Sequence, residues 1–216
     1  MIKAFLVLLL GYAFGNIPTG VIVGRANHVD IKHEGSGNIG STNALRTMGF
    51  LHGGLPTLLG DFAKAMIPVA LTKYVIASGL SGSSYGLYST DFYTLLAGLG
   101  AVLGHNFPVV LRFKGGKGVA ATYGTMLIFQ PMIFLIEAAV MIITVFFTRY
   151  VSLGSIIVYT LLPFLVAFFT HGNLAAVVVV CIYSVLGIVR HHSNISRIIK
   201  GTENRFSLHR QSARKN

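Results

Sequence analysis

Acidic residues are scarce in this chain. Only six Asp and Glu stand among 216 residues, against 17 Lys and Arg, for a formal net charge of +11. Charged residues of both signs make up 11% of the sequence, where a soluble domain usually carries about 25%. That shortage excludes a separate soluble domain, and with it any carrier for a nucleic-acid recognition element. Metal-binding carboxylates in close spacing are missing too, which argues against a metal-dependent phosphatidyltransferase or phosphatase and leaves no metal site to nominate. The single cysteine, Cys181, excludes an internal disulfide and a cysteine framework. It sits in an apolar run and reads as a small buried hydrophobe. Ser36 and Ser41 are available hydroxyls, but neither lies in GxSxG, and no HxxxxD acyltransferase pattern occurs.

What is there is apolar sequence. Hydrophobic residues make up 53% of the chain, and the mean hydropathy is +0.70. Apolar runs near 4–24, 55–77, 92–111, 119–130, 132–148, 152–170 and 172–190 predict an all-α, polytopic integral membrane protein, with some segments short. The first run reads as a retained span, because it is long enough to cross and lacks a small-x-small cleavage site. Asn16 and Pro18 within it predict a polar contact and a kink, and Asp91 predicts a cap on the third span. Residues 119–148 read either as one long tilted helix or as two segments turning near Pro131.

Charge decides between those readings. The loop 78–90 is uncharged, whereas 25–52, 112–118 and 190–216 are basic, the last with seven Lys or Arg against one Glu. Basic residues accumulate on the cytoplasmic side. Two passages between 119 and 148 put all three basic segments on that side; one passage would strand the tail on the other. The expectation is therefore seven transmembrane helices, N-terminus outside and C-terminus cytoplasmic. Residues 1–207 form one transmembrane domain and 208–216 a basic tail.

The three polar segments carry the chemistry. In HEGSGNIGSTNALRTMG, 33–49, glycines allow close approach of an anion, and Ser36, Asn38, Ser41, Thr42 and Asn43 offer donors. A short helix over STNALRTM would be capped by Ser41 or Thr42, and Arg46 would supply a bidentate fork for phosphate. In GHNFPVVLRFKGGKG, 104–118, Gly115, Gly116 and Gly118 expose backbone N–H groups, while Lys114 and Lys117 add positive charge. The spacing is not GxxxxGK[ST], so ATP hydrolysis is not supported. His105 and Asn106 stand at the inner end of the third span. In RHHSNISRIIKGTENR, 190–205, helical spacing lines up His191, Asn194 and Arg197, Gly201 ends the helix, and Glu203 follows. His191 is a candidate general base, and His192 points elsewhere. Asp61 and Lys64 form an i,i+3 pair on the second span, and Glu137 lies in an apolar run, facing a packed interior, a cavity or the outer boundary. Gathered on one face, these groups suit a transfer between two phosphate-bearing substrates, one lipid-like. An anion transporter or channel is the alternative, although it would place such groups at mid-membrane depth.

GSGNIGSTNALRTMG, GHNFPVVLRFKGGKGVAAT and RHHSNISRIIKGTENR, in that order, together with GDFAKA, resemble the motifs of the bacterial acyl-phosphate–glycerol-3-phosphate acyltransferase family, PlsY. The resemblance runs through about residue 207. It implies seven transmembrane helices in the bacterial inner membrane and an active site facing the cytoplasm. It implies acyl transfer from acyl phosphate to the 1-position of glycerol 3-phosphate, giving lysophosphatidic acid and inorganic phosphate. No cofactor, metal, nucleic acid or obligatory protein partner is implied. By the same resemblance Ser36, Arg46, Lys117, His191 and Asn194 are catalytic. Asn38, Thr42, His105, Asn106, Lys114, Gly115, Gly116 and Gly118 bind substrate or phosphate, and Asp61, Lys64 and Glu203 support them; Asn43 as a further phosphate-binding group and Arg197 as a further support come from the residue pattern itself. Arg205 replaces a lysine common in the family. Two groups fit as acceptor of the hydroxyl proton: His191, or a phosphate oxygen of bound substrate. The second is favoured because acyl phosphate is already activated.

Overall fold

With almost no charge to interrupt them, the apolar runs fold as helices, the form that satisfies backbone polar groups without water. The computed structural model describes residues 1–80 and 86–207. The basic tail 208–216 and part of the uncharged loop, 81–85, lie outside the described residues. The first run breaks into α1 (Ile2–Gly15) and α2 (Thr19–Ala26). Pro18 stands at the break, and Asn16 beside it ties the end of α1 to Val109, donating to Tyr12 O at 2.7 Å and accepting from Val109 N–H at 2.7 Å. The polar contact and the kink are both present. A short amphipathic α3 (Ser41–Met48) precedes α4 (Leu55–Leu71), which continues through a π-helical turn at Thr72–Ile76 into α5 (Ala77–Leu80). There follow α6 (Thr90–Asn106), α7 (Val119–Phe129), α8 (Pro131–Thr148), α9 (Val151–Phe169), α10 (Leu174–Arg190) and α11 (His192–Ile199).

Five of these helical stretches are long and apolar enough to cross a membrane: 2–26, 50–76, 90–111, 131–148 and 151–169. There are six if α10 and α11, bent by 54° at His191, count as one span. The expected seven include α7, which has only 11 residues and so rises about 16 Å against a hydrocarbon core of about 30 Å. Residues 119–148 do form two helices, broken at Gln130, and the two run back along each other. Seven residues either side of the break, Tyr123 OH donates to Glu137 O at 3.3 Å, and the Tyr123 and Phe134 rings meet edge to face. Lys73 Nζ reaches the end of α7, donating to Ile128 O at 2.8 Å and Phe129 O at 2.9 Å. These are carbonyls that the helix cannot satisfy itself.

Small residues let the spans touch. A Cβ on Gly11 or Gly15 of α1 would lie 1.9 or 2.2 Å from the Ala97 or Ala101 carbonyl of α6. One on Gly100 or Gly104 would lie 2.1 or 2.4 Å from the Leu8 or Tyr12 carbonyl. This is a reciprocal small-xxx-small seam, the packing that suits helices in lipid. The buried core runs between α6, α7, α9 and α10, around Leu99, Val102, Met126, Leu162, Val180 and Tyr183. Glu137 is packed in the interior with neither carboxylate oxygen bonded. Two expectations fail here. Ser89, not Asp91, caps α6, its Oγ accepting from Phe92 N–H at 3.2 Å. Cys181 is exposed rather than buried, because α10 packs through Val180, Tyr183 and Ser184 and turns Cys181 away.

Candidate active site

The hairpin of a short and a long helix shapes the site. From Tyr123 opposite Glu137, α7 reaches back only to Val119 while α8 continues to Thr148. The last turns of α8 therefore extend about 10 Å beyond the start of α7 and have no helix of that hairpin beside them. The space left over α7 is a polar cavity of about 380 Å³, entered by Arg46 from α3 and Lys117 from the loop before α7. Alongside it, Leu45, Leu58, Ile142, Val145 and Phe146 line an apolar groove of about 650 Å³. Thr42, Met141 and Phe206 border both.

The first loop, held by Asn43, forms one wall. The Asn43 Oδ1 accepts from Ser36 N–H at 2.9 Å, and its Nδ2 donates to Glu34 O at 3.0 Å and Ile31 O at 3.3 Å. Asn43 lines the cavity as expected and also staples the loop: both ends of its amide are engaged by loop backbone. Neither Ser41 nor Thr42 caps α3. Gly40 occupies the cap position, and Asn38 Oδ1 accepts from its N–H at 2.8 Å. Ser36, Asn38, Thr42 and Arg46 all line the cavity, and the N-terminal turn of α3 borders it with free-ended N–H groups of a helix start.

The glycine loop departs further from expectation. Gly115 N–H donates to Asn106 O at 3.2 Å, and Gly116 N–H to His105 O at 3.0 Å. These amides serve the loop's own fold and do not cradle an anion. A Cβ on Gly115 would lie 2.1 Å from His105 O, and one on Gly116 2.0 Å from His105 Nε2. The glycines are there so that the loop can lie directly on the end of α6. Gly115, Gly116 and Asn106 do not line the cavity, and Lys114 is exposed away from it. Lys117 does line it, as does Gly118, whose φ of +83° starts α7. The polar contribution of this segment is therefore Lys117 and the N-terminal amides of α7 at Val119 and Ala120.

Arg190, for which no role is expected from local pattern, fixes that loop. Its Nε donates to Gly116 O at 3.0 Å and its Nη2 to Gly115 O at 2.9 Å, with the guanidinium 5.3 Å from the centre of the Phe107 ring. Tyr159 OH donates to Lys117 O at 3.3 Å. Nothing in local sequence signals either contact.

The third segment supplies a connected network. Lys117 Nζ donates to Asn194 Oδ1 at 2.5 Å, and Asn194 Nδ2 donates to Glu203 Oε1 at 2.7 Å. The same oxygen accepts from Ser152 Oγ at 2.9 Å, and Glu203 Oε2 pairs with Arg197 Nε at 2.7 Å. Ser152 is a second residue that the sequence reading missed. Burial alone would raise the Glu203 carboxyl, but hydrogen bonds from Asn194, Arg197 and Ser152 outweigh it and hold the group below its usual range. Lys117 is pushed down to about 8, chiefly by burial and then by Arg197, Arg190 and Arg46, with Glu203 opposing. His191 lies past the end of α10, 2% exposed. Its Nδ1 stands 2.7 Å from Gly187 O; a carbonyl only accepts, so Nδ1 carries the proton and Nε2 is the unprotonated nitrogen. His192 is exposed, as expected.

Beneath the cavity, Asp61 Oδ1 is 2.8 Å from Lys64 Nζ and 3.4 Å from His105 Nδ1, and it accepts from Thr19 Oγ1. Lys64 also donates to Ile17 O at 2.9 Å. Asp61 and His105 reach the cavity wall; Lys64 does not and ties α4 to the first span. Among the described residues, no group of three or more His, Cys, Asp or Glu side chains is placed to hold a metal ion.

Known proteins resemble this chain over nearly its whole length. The sequence model of the glycerol-3-phosphate acyltransferase family matches residues 5–201. The glycerol-3-phosphate acyltransferase of Trichlorobacter lovleyi is 41% identical over 195 residues, covering 90% of this chain and 93% of that protein. That of Bacillus subtilis is 39% identical over 201 residues, covering 92% and 95%. A crystal structure of PlsY (YgiH), an integral membrane glycerol 3-phosphate acyltransferase in its glycerol 3-phosphate form, superposes with a TM-score of 0.80 at 31% identity, covering 94% of this chain and 96% of that one. The lysophosphatidic acid form superposes equally well, at 0.80. By sequence and by structure alike, the chain belongs to the glycerol-3-phosphate acyltransferase family.

Proposed function

We propose that this protein transfers a fatty acyl group from acyl phosphate to the 1-hydroxyl of glycerol 3-phosphate, releasing lysophosphatidic acid and inorganic phosphate. One observation carries the reading: a cation-rich cavity opens onto an apolar groove, with Thr42, Met141 and Phe206 on both walls. The cavity suits phosphate and the groove an acyl chain. With Asp61 neutralised by Lys64 behind the wall, Arg46, Lys117 and Arg197 against Glu203 leave a net charge of +2 there, and the starts of α3 and α7 each add about half a positive charge. Two bound phosphates, each carrying about −1.5 to −2, need charge of that order.

Arg46 and Lys117 orient the phosphates, with Ser36, Asn38 and Thr42 offering hydrogen-bond partners. The hydroxyl attacks the acyl carbonyl, the carbonyl–oxygen bond to phosphate breaks, and the N-terminal amides of α3 and α7 offset the developing negative charge. The hydroxyl proton passes to a phosphate oxygen. Acyl phosphate is already activated, so strong general-base help from His191 is not required. His191 and Asn194 then position the groups around Lys117.

The topology that fits is seven crossings. Five long stretches, the α10–α11 pair and the short α7 make that number. The N-terminus lies outside the bacterial inner membrane, and the C-terminus and active site face the cytoplasm. The basic residues of 25–33, 112–117 and 190–205 favour that orientation.

The test uses purified protein in detergent, supplied with palmitoyl phosphate and glycerol 3-phosphate and, separately, with palmitoyl-CoA. Lysophosphatidic acid and phosphate in equal amounts from acyl phosphate alone are expected. Turnover of palmitoyl-CoA alone would overturn the donor assignment.

A further inference from the structure

The segment after α11 leaves the helices and runs back across the site. Glu203 anchors it through Ser152, Asn194 and Arg197. Three residues on, Phe206 N–H donates to Arg149 O at 2.6 Å, taking up a carbonyl left over at the C-terminal end of α8. Residues 202–206 are thus a strap tied at both ends, outside the 5–201 stretch that the family model matches. Phe206 borders both the polar cavity and the apolar groove. The other residues shared by the two compartments sit on packed helices; Phe206 alone is borne by the strap.

We infer that Phe206 is a specificity-determining residue for the acyl donor: its ring forms the seam between headgroup cavity and chain groove and seats a long acyl chain where it passes from the one into the other. The inference rests on the reaction proposed above. A phenyl ring at that place offers apolar surface to methylene groups, and a chain too short to leave the cavity never meets it. The strap's two tethers fix the ring's distance from Lys117 through Asn194 and Glu203, so chain seating and phosphate seating share one frame.

Two measurements on Phe206→Ala and Phe206→Leu test this. In thermal-shift titrations with the detergent-solubilised protein, Phe206→Ala weakens binding of palmitoyl lysophosphatidic acid about tenfold and leaves glycerol 3-phosphate within about twofold. In turnover, kcat/KM for palmitoyl phosphate falls about tenfold while that for butyryl phosphate stays within about twofold, and Phe206→Leu recovers most of the loss. Equal losses for long and short ligands, or no loss for either, overturn the inference. The binding arm does not depend on catalysis: selective loss of the long ligand there sustains the role of Phe206 even if wild-type protein fails to use acyl phosphate, a result that would sink the reaction instead.

Discussion

Replacing Glu203 with glutamine tests whether the third segment acts as one network. The amide oxygen can take the place of Oε1 and still accept from Ser152 and Asn194. The amide nitrogen then stands where Oε2 paired with Arg197 Nε at 2.7 Å, donor against donor. Rotating the amide only moves the clash to Asn194 Nδ2. Glu203 is 6% exposed and Arg197 35%, so the lost bond sits at the lower end of the range for charged hydrogen bonds, about 1.5–2 kcal/mol. At about 1.4 kcal/mol per factor of ten, kcat/KM for glycerol 3-phosphate drops about 10- to 30-fold. The assay is initial-rate kinetics on Glu203→Gln, Asn194→Ala and the double variant. Because Asn194 links Glu203 to Lys117, the double variant falls short of the product of the single losses, with a coupling of about 0.5 kcal/mol or more. Glu203→Gln with unchanged kcat/KM, or losses that multiply cleanly, would refute the network.

Three further outcomes follow from the same geometry. Lys117 is held near 8, so its ammonium is present below that pH and lost above it. The kcat/KM for glycerol 3-phosphate falls as pH rises through about 8, and Lys117→Arg moves that limb out of the accessible range, since a guanidinium stays charged to above about 12. In Gly116→Ala the new Cβ drives into the His105 ring; activity falls at least about tenfold with a lower melting temperature, as overpacking by about 1–3 kcal/mol requires. Arg190→Lys keeps the charge but cannot fork to both Gly115 and Gly116 carbonyls, so KM for glycerol 3-phosphate rises several-fold while kcat changes less, read from full saturation curves.

Much of the site was legible because its polar residues stand out against an apolar chain. Ser36, Arg46, Lys117, His191 and Asn194 stand out in three basic segments, and charge parity favours two passages turning near Pro131, where the break falls at Gln130. Contacts that depend on tertiary approach were not legible. Arg190 meets Gly115 across 75 residues of sequence and Ser152 meets Glu203 across 51, with no local pattern to mark either. Gly115 and Gly116 were misread because a glycine that admits a ligand and one that admits a neighbouring backbone look alike in sequence. The shortness of α7 was visible, but its consequence was not: only the hairpin with α8 shows that a helix of 11 residues leaves room for both the cavity and the groove.

The central claim is acyl transfer by attack at the carbonyl carbon, and an isotope experiment addresses it most directly. Palmitoyl phosphate carrying heavy oxygen only in the bridge between carbonyl and phosphorus is turned over with glycerol 3-phosphate, and the products are resolved by mass spectrometry. Attack at the carbonyl predicts the label in inorganic phosphate and none in the lysophosphatidic acid ester. Label released in free palmitate would mean attack at phosphorus, and would contradict the account.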